Sequence, residues 1–132
     1  MRMIEFRIDR RSGMPTYLQI VDQVRQALVL GRLGVGDKLP TAREVVASTA
    51  VNPNTVLKAY RELEREGLVQ GRVGAGTFVL RGLARDETGV DSPLGAELSG
   101  WLGRARSAGL ARHELEALVK ALLDRTYGGG DE

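Results

Sequence analysis

A chain of 132 residues has room for one compact domain and a small appendage, and its 27% charged and 42% hydrophobic residues are the proportions of an ordinary folded protein. With no cysteine and a single histidine, His113, it lacks the material for disulfides, thiolate metal sites, cysteine nucleophiles or histidine catalysis. Neither an enzyme, nor a cofactor, nor a metal site is therefore expected. No apolar run reaches the ~18 residues of a membrane helix and the basic start has no signal-peptide core, so the expectation is a cytoplasmic chain with no membrane partner.

The net charge of +2 divides unevenly. Residues 1–81 hold 13 Lys and Arg against 8 Asp and Glu, whereas residues 82–132 hold 6 against 9. A basic front (+5) and an acidic tail (−3) point to a polyanion facing the front.

The chain opens with Ile4, Phe6 and Ile8 alternating with Glu5 and Arg7, the period-two pattern of a half-buried strand. From Pro15 to about Leu30, Tyr17, Ile20, Val21, Val24, Ala27 and Leu28 form a helical stripe, with Asp22, Gln23, Arg25 and Gln26 opposite. Either a Thr16–Gln19 capping box or Pro15 at the first helical position starts it. Thr41 and Glu44 have capping-box spacing and begin a short second helix to about Thr49. Asn52 as N-cap and Pro53 behind it begin a third, with Val56, Ala59, Tyr60 and Leu63 inward. Gly67 ends it, with Leu68 placed for the closing hydrophobic contact. Two short helices so joined make a helix-turn-helix. Leu68–Arg72 and Gly76–Leu80 then read as strands joined by Val73-Gly74-Ala75. The order predicts a winged helix-turn-helix over residues 1–81, mainly α with a small β-hairpin (α+β), the hairpin being the wing.

Residues 82–91 are polar and unpatterned and read as a linker. A two-helix hairpin for dimerisation is predicted over 92–127, and 128–132 as a disordered tail. Its stripes are Leu94, Leu98, Trp101, Leu102 and Ala105 on one helix, and Leu115, Leu118, Val119, Leu122 and Leu123 on the other. Isolated helices below ~12–15 residues are marginal, and a hairpin satisfies only part of each stripe. Two copies would close a small bundle about a twofold axis, so a homodimer is expected. The alternative is a hairpin folded back on its own front domain.

A helix-turn-helix sets the start of its second helix against base edges in the major groove. Here that start carries Asn54, Thr55 and Lys58, with Arg61 and Arg65 following on the same face. Asn reads adenine bidentately, Thr meets a base or a thymine methyl, and Lys reaches guanine or a phosphate. Glu62, Glu64 and Glu66 leave open that this is a merely solvated face. Thr41 and Arg43 at the start of the preceding helix suit a phosphate, with Lys38 a further candidate, and on the wing Arg72, Gly74 and Gly76 allow close approach to the duplex backbone or minor groove. The partner so predicted is double-stranded DNA with a palindromic operator. The competing class is a winged-helix protein-interaction module without sequence-specific DNA binding, which would carry an apolar recognition face. The glycines from Gly71 to Gly76 lack the Lys-Ser/Thr ending of a nucleotide loop, and His113-Glu114 lacks the second histidine of a zinc helix.

In order along the chain, Pro15-Thr16-Tyr17-Leu18-Gln19-Ile20, Gly31-Arg32-Leu33, Gly36-Asp37-Lys38-Leu39-Pro40, Thr41-Ala42-Arg43-Glu44, Val51-Asn52-Pro53-Asn54-Thr55-Val56, Ala59-Tyr60, Glu66-Gly67-Leu68-Val69 and Gly74-Ala75-Gly76-Thr77-Phe78-Val79 resemble the GntR family of bacterial transcription regulators. The Asn-Pro-Asn-Thr form and the short helical tail look most like its YtrA subfamily. The resemblance implies a dimeric DNA-binding repressor, often of transporter genes encoded nearby, with DNA contacts at Arg43, Asn54, Thr55 and Gly74. Many members carry arginine where Pro53 stands, so base preference does not transfer. Ala50 stands where glycine is frequent, and Ala111 where a capping serine is frequent. About 50 residues after the wing are too few for the large effector or aminotransferase-like domains of other subfamilies. A small-molecule effector stays open and unidentified.

Overall fold

In the computed structural model, which describes residues 3–128, the first four helices begin where a polar cap or a proline stands. The elements are α1 (Thr16–Val29), α2 (Ala42–Thr49), α3 (Pro53–Arg65), β1 (Val69–Arg72), β2 (Gly76–Val79), α4 (Pro93–Ser107) and α5 (Arg112–Tyr127). The first five form a winged helix-turn-helix.

Phe6 is buried and Ile4 and Ile8 pack against the core, but the opening segment is not a strand. Two glutamines of α1 take the place of a neighbouring strand. Arg7 N–H donates to Gln23 Oε1 at 2.9 Å and Gln23 Nε2 donates back to the Arg7 carbonyl at 2.7 Å. Gln19 does the same with Asp9, at 2.8 and 2.9 Å. The spacing allows it, because four helical residues rise about 6 Å and two extended residues about 6.6 Å. Gln23 is thus part of the fold's hydrogen bonding rather than of a solvent face. Gln19 is buried and makes no capping box; Pro15 is the N-cap rather than the first helical residue, so the start falls between the two readings, and no side chain caps it.

The second and third helices start as their sequences dictate. Thr41 Oγ1 accepts from Glu44 N–H at 3.1 Å while Glu44 Oε1 accepts from Thr41 N–H at 2.9 Å, the complete capping box. Asn52 Oδ1 accepts from Asn54 N–H at 2.8 Å. The buried side of α3 is Val56, Ala59, Tyr60 and Leu63, as its stripe predicts, and it packs against α1 and α2. At its end Gly67, with φ 78°, lets its own N–H reach the Glu64 carbonyl and Leu68 N–H the Leu63 carbonyl, a Schellman stop. The buried Tyr60 hydroxyl donates to the Pro40 carbonyl at 2.6 Å and so ties α3 to the entrance of α2.

In the wing, β1 and β2 are antiparallel from Val69 opposite Val79 to Arg72 opposite Gly76. The loop before α2 lines the free edge of β2: Leu39 N–H donates to the Thr77 carbonyl, Val79 N–H to the Asp37 carbonyl, and Lys38 bridges to Phe78. The third strand-like piece beside the hairpin is therefore this loop, not the start of the chain. Pleating sends Leu39, Val69 and Val79 into the core and leaves Lys38, Phe78 and Arg72 on the outer side.

Part of the stretch read as a linker is held to the winged unit. Leu83 packs on the core and Thr88 Oγ1 donates to the Val29 carbonyl at 2.7 Å. The chain divides into two compact units between Gly89 and Val90, so the connection is shorter than its composition implies.

The second unit contains α4 and α5. Ser92 caps α4 by accepting from Gly95 N–H at 3.0 Å. Ala111, lacking an acceptor, leaves α5 half a capping box, in which Ala111 N–H donates to Glu114 Oε1 at 2.8 Å. Ala105 is the one buried residue of α4, and α5 has none. Leu94, Leu98, Leu118, Leu122 and Leu123 are exposed; Trp101, Leu102, Leu115 and Val119 are half-buried. Gly128, in the left-handed region, ends α5; the rest of the predicted tail, residues 129–132, lies outside the described residues.

Candidate nucleic-acid interface

The geometry of α3 separates its two ends. Pro53 and the Asn52 cap fix the first turn, and the buried stripe turns the opposite face outward, carrying Asn54, Lys58 and Arg61 exposed with Thr55 half-buried. The Asn54 and Arg61 side chains make no hydrogen bond or ion pair with another described residue. Lys58 has a partner of another kind, its ammonium standing 4.0 Å from the centre of the Tyr17 ring on α1.

Toward the C-terminal end the charges are consumed internally. Arg65, placed by spacing alone on the same face, is paired with Glu62. Glu66 is paired with Arg25 of α1, and Glu64 Oε2 accepts from Gly71 N–H of β1 at 3.3 Å. The Arg65 hydrogen bond, followed by one with Glu66 and by the charges of Arg65 and Arg25, holds the Glu62 carboxyl down to about 2. The three glutamates that left a solvated face open are thus all engaged within the fold.

A second group gathers where α2 begins. Lys38, Thr41, Arg72, Gly74 and Gly76 line one open groove between the first turn of α2 and the wing. Thr41 Oγ1 is committed as an acceptor to its cap, which leaves its hydroxyl hydrogen to donate. Arg43, one residue into α2, is exposed and without a hydrogen bond or ion pair among the described residues. The Arg72 guanidinium lies 4.7 Å from the centre of the Phe78 ring. Gly74 turns the wing with φ 75°, next to a fully exposed Val73.

Gly76 has its own necessity. Its φ of 121° suits glycine, and a Cβ there would stand 2.6 Å from Lys38 Cε, so the missing side chain is the slot along which the lysine stem runs. Sequence marks Gly76 only as a wing glycine that allows close approach to DNA, not as the slot for Lys38, and Tyr17 and Phe78 are not among the site residues expected from it. Tyr17 reads as one more member of the α1 stripe, and no periodicity signals a ring that meets a cation from another element.

Among the described residues no three His, Asp or Glu side chains gather as a metal site, and no helix is long and apolar enough to cross a membrane.

The model of the bacterial regulatory proteins, gntR family, matches residues 16–79. An uncharacterized HTH-type transcriptional regulator of Bacillus subtilis, YhcF, is 38% identical over 119 residues, 90% of this chain and 96% of its own length. The HTH-type transcriptional repressor YtrA of the same organism is 47% identical over 72 residues, 54% of this chain and 55% of its own. The solved structure of YtrA from Sulfolobus acidocaldarius, a GntR-family transcription factor, is similar with a TM-score of 0.53 and 30% identity, over 91% of this chain and 97% of that one. The DNA-binding domain of AraR in complex with operator ORX1 is similar with a TM-score of 0.50 and 26% identity, over 60% of this chain and 98% of that one. A winged helix-turn-helix with this outward α3 face, matched along nearly its whole length by a small regulator, places the chain in the GntR family of bacterial transcription regulators, as a YtrA-like member.

Proposed function

We propose that the chain is a dimeric repressor that binds a palindromic operator in double-stranded DNA through two copies of α3. In this reading Asn54 and Thr55 meet base edges in the major groove, and Lys58 and Arg61 reach a base or a phosphate further along it. Arg43, Thr41 and Lys38 hold phosphates beside the first turn of α2, and Arg72 and Gly74 approach the neighbouring backbone or minor groove. One observation carries the reading: the outward face of α3 offers Asn54 and Arg61 exposed and unpaired among the described residues, while the glutamates near its end are engaged by Arg65, Arg25 and the Gly71 N–H. The leucines left exposed on α4 and α5 support a second copy as their cover, since twofold pairing is the commonest homo-oligomer symmetry. That YtrA is a repressor and that AraR was solved on an operator favour the same role here. Transporter genes are the proposed targets, on the resemblance stated above, and the cytoplasm the proposed place of action.

The test is selection of duplexes from a randomised library by the full chain, followed by sequencing. A palindrome with half-sites about one helical turn (~10 bp) or a multiple apart is the expected product; enrichment of no twofold sequence would overturn the proposal. Against the selected duplex, Asn54→Ala should relax one base position by about 1–3 kcal/mol. Arg43→Ala should instead weaken all sequences alike and lower the log–log salt slope by about 0.9. Equal loss of sequence preference in both variants would contradict the assigned roles.

A further inference from the structure

Two of the ways in which the fold holds its cations contrast. Arg25, Arg65, Arg85, Arg112 and Lys120 are paired with carboxylates, and none of them belongs to the surface proposed to meet DNA. On that surface Arg43 and Arg61 have no partner among the described residues, and the two cations that touch an aromatic side chain, Lys58 and Arg72, each lie over a ring. The difference is chemical. A carboxylate fixes a cation by cancelling its charge and then repels a phosphate, whereas a ring face attracts the cation through its quadrupole and leaves the net charge in place. An ammonium has three donors, and a ring on one side leaves the others for an acceptor.

We propose that Tyr17 is a positioning residue for DNA binding: its ring, on the first turn of α1, holds the Lys58 ammonium of α3 in place for the nucleic acid without neutralising it. The ring is suited to this because it is half-buried and packed against the core, so it is fixed where an exposed lysine would sample many rotamers. Ordering Lys58 before DNA arrives removes part of the entropy that binding otherwise costs. Arg72 on Phe78 repeats the arrangement on the wing. The inference rests on the reading that Lys58 faces DNA, and the experiment separates the two.

Binding of a labelled mixed-sequence duplex, three helical turns long, would be measured over a range of salt for the full chain, Tyr17→Phe, Tyr17→Leu, Lys58→Met and the double variant Tyr17→Leu with Lys58→Met. Lys58→Met should lower the salt slope by about 0.9. Tyr17→Leu should weaken binding about two- to fivefold, the cost of ordering one freed lysine side chain when DNA binds. Tyr17→Phe should match the parent chain, and Tyr17→Leu should have no effect once Lys58 is methionine. If Lys58→Met changes neither affinity nor slope, the DNA-facing reading of Lys58 fails and the role of Tyr17 falls with it. If Lys58→Met acts but Tyr17→Leu does not, or acts equally in both backgrounds, the reading stands and the positioning role is overturned. Loss in Tyr17→Phe would assign the effect to the hydroxyl and overturn it likewise. Should Tyr17→Leu fail to fold, the Lys58 ε-methylene protons of the parent chain decide. Upfield ring-current shifts are expected, and ordinary lysine positions would overturn the proposal.

Discussion

Ile20, Leu28, Val56 and Leu63 of the winged unit expose none of their surface, whereas Leu94, Leu98 and Leu123 of the helical unit each expose half or more. Full burial of such a side chain is worth about 1.5–3 kcal/mol. The first unit collects that stabilisation from its own residues, with α1 and α2 against α3 and the wing root closing one end. The helical unit leaves most of it uncollected, and its helices, 15 and 16 residues long, stand only at the upper edge of the ~12–15-residue range in which an isolated helix is marginal. Burial therefore separates a region that covers its own apolar stripes from one that leaves them largely uncovered, where the proposed second copy would pack.

Making the tail polar is the most severe way to break this contrast. Leu118 and Leu122, one turn apart on α5, are both exposed, and the double change Leu118→Glu with Leu122→Glu adds repulsion to any twofold pairing. Light scattering should show a monomer, and affinity for a palindromic duplex should fall by about 10²–10⁴-fold as bivalent binding is lost. Thermal unfolding of the winged unit should stay where it is. A chain that remains dimeric would show that some other surface closes the pair.

The next effect tests the self-sufficiency of the winged unit. Tyr60→Phe removes the hydroxyl that donates to the buried Pro40 carbonyl, and an orphaned acceptor costs about 1–3 kcal/mol, readable by urea unfolding. The same group predicts a pH dependence. Burial, with a smaller contribution from the Glu44 charge, raises the Tyr60 phenol well above its ordinary value. The fold thus holds that proton more tightly than the unfolded chain does. The corresponding stability is fully present below pH about 10 and drains away as pH rises from there toward the folded value. The gap between the parent and Tyr60→Phe should therefore narrow above pH 10; a constant gap would mean the phenol is not held protonated.

How far these features were legible depended on the range of the interaction. Thr41 with Glu44, Asn52 with Pro53, and Gly67 with Leu68 act over three residues or fewer, and each helix boundary they mark is found in the structure. The α3 stripe was legible for the same reason, since periodicity is local. What failed is what depends on elements far apart in sequence. Alternation at Ile4, Phe6 and Ile8 identifies an inward face correctly but not the partner of the backbone, and Gln19 and Gln23 supply what a strand would have given. The spacing of Arg65 from Asn54 puts it on one face, but Glu62 lies a turn away and takes it. The ring beneath Lys58 belongs to α1 and the slot for Lys38 to the wing, neither of which any single segment announces.

The smallest effect lies at the joint of the helix-turn-helix. Ala50 caps α2 with φ 59° and ψ 23°, the one residue other than glycine at positive φ among the described residues. The left-handed conformation costs an L-residue about 1–2 kcal/mol. Replacing it with glycine removes that strain but widens the unfolded ensemble, which returns about 0.4–1 kcal/mol. Ala50 is exposed, so no packing is lost, and its N–H bond to the Val46 carbonyl uses only backbone. Strain relief should win, and Ala50→Gly should stabilise the winged unit by roughly 0.5–1 kcal/mol. DNA affinity should not move, because the caps that orient α2 and α3 are untouched. A loss of stability would put the larger weight on unfolded-chain entropy. An unaltered fold with weakened binding would instead show that the stiffness of this turn helps hold α3 at its working angle.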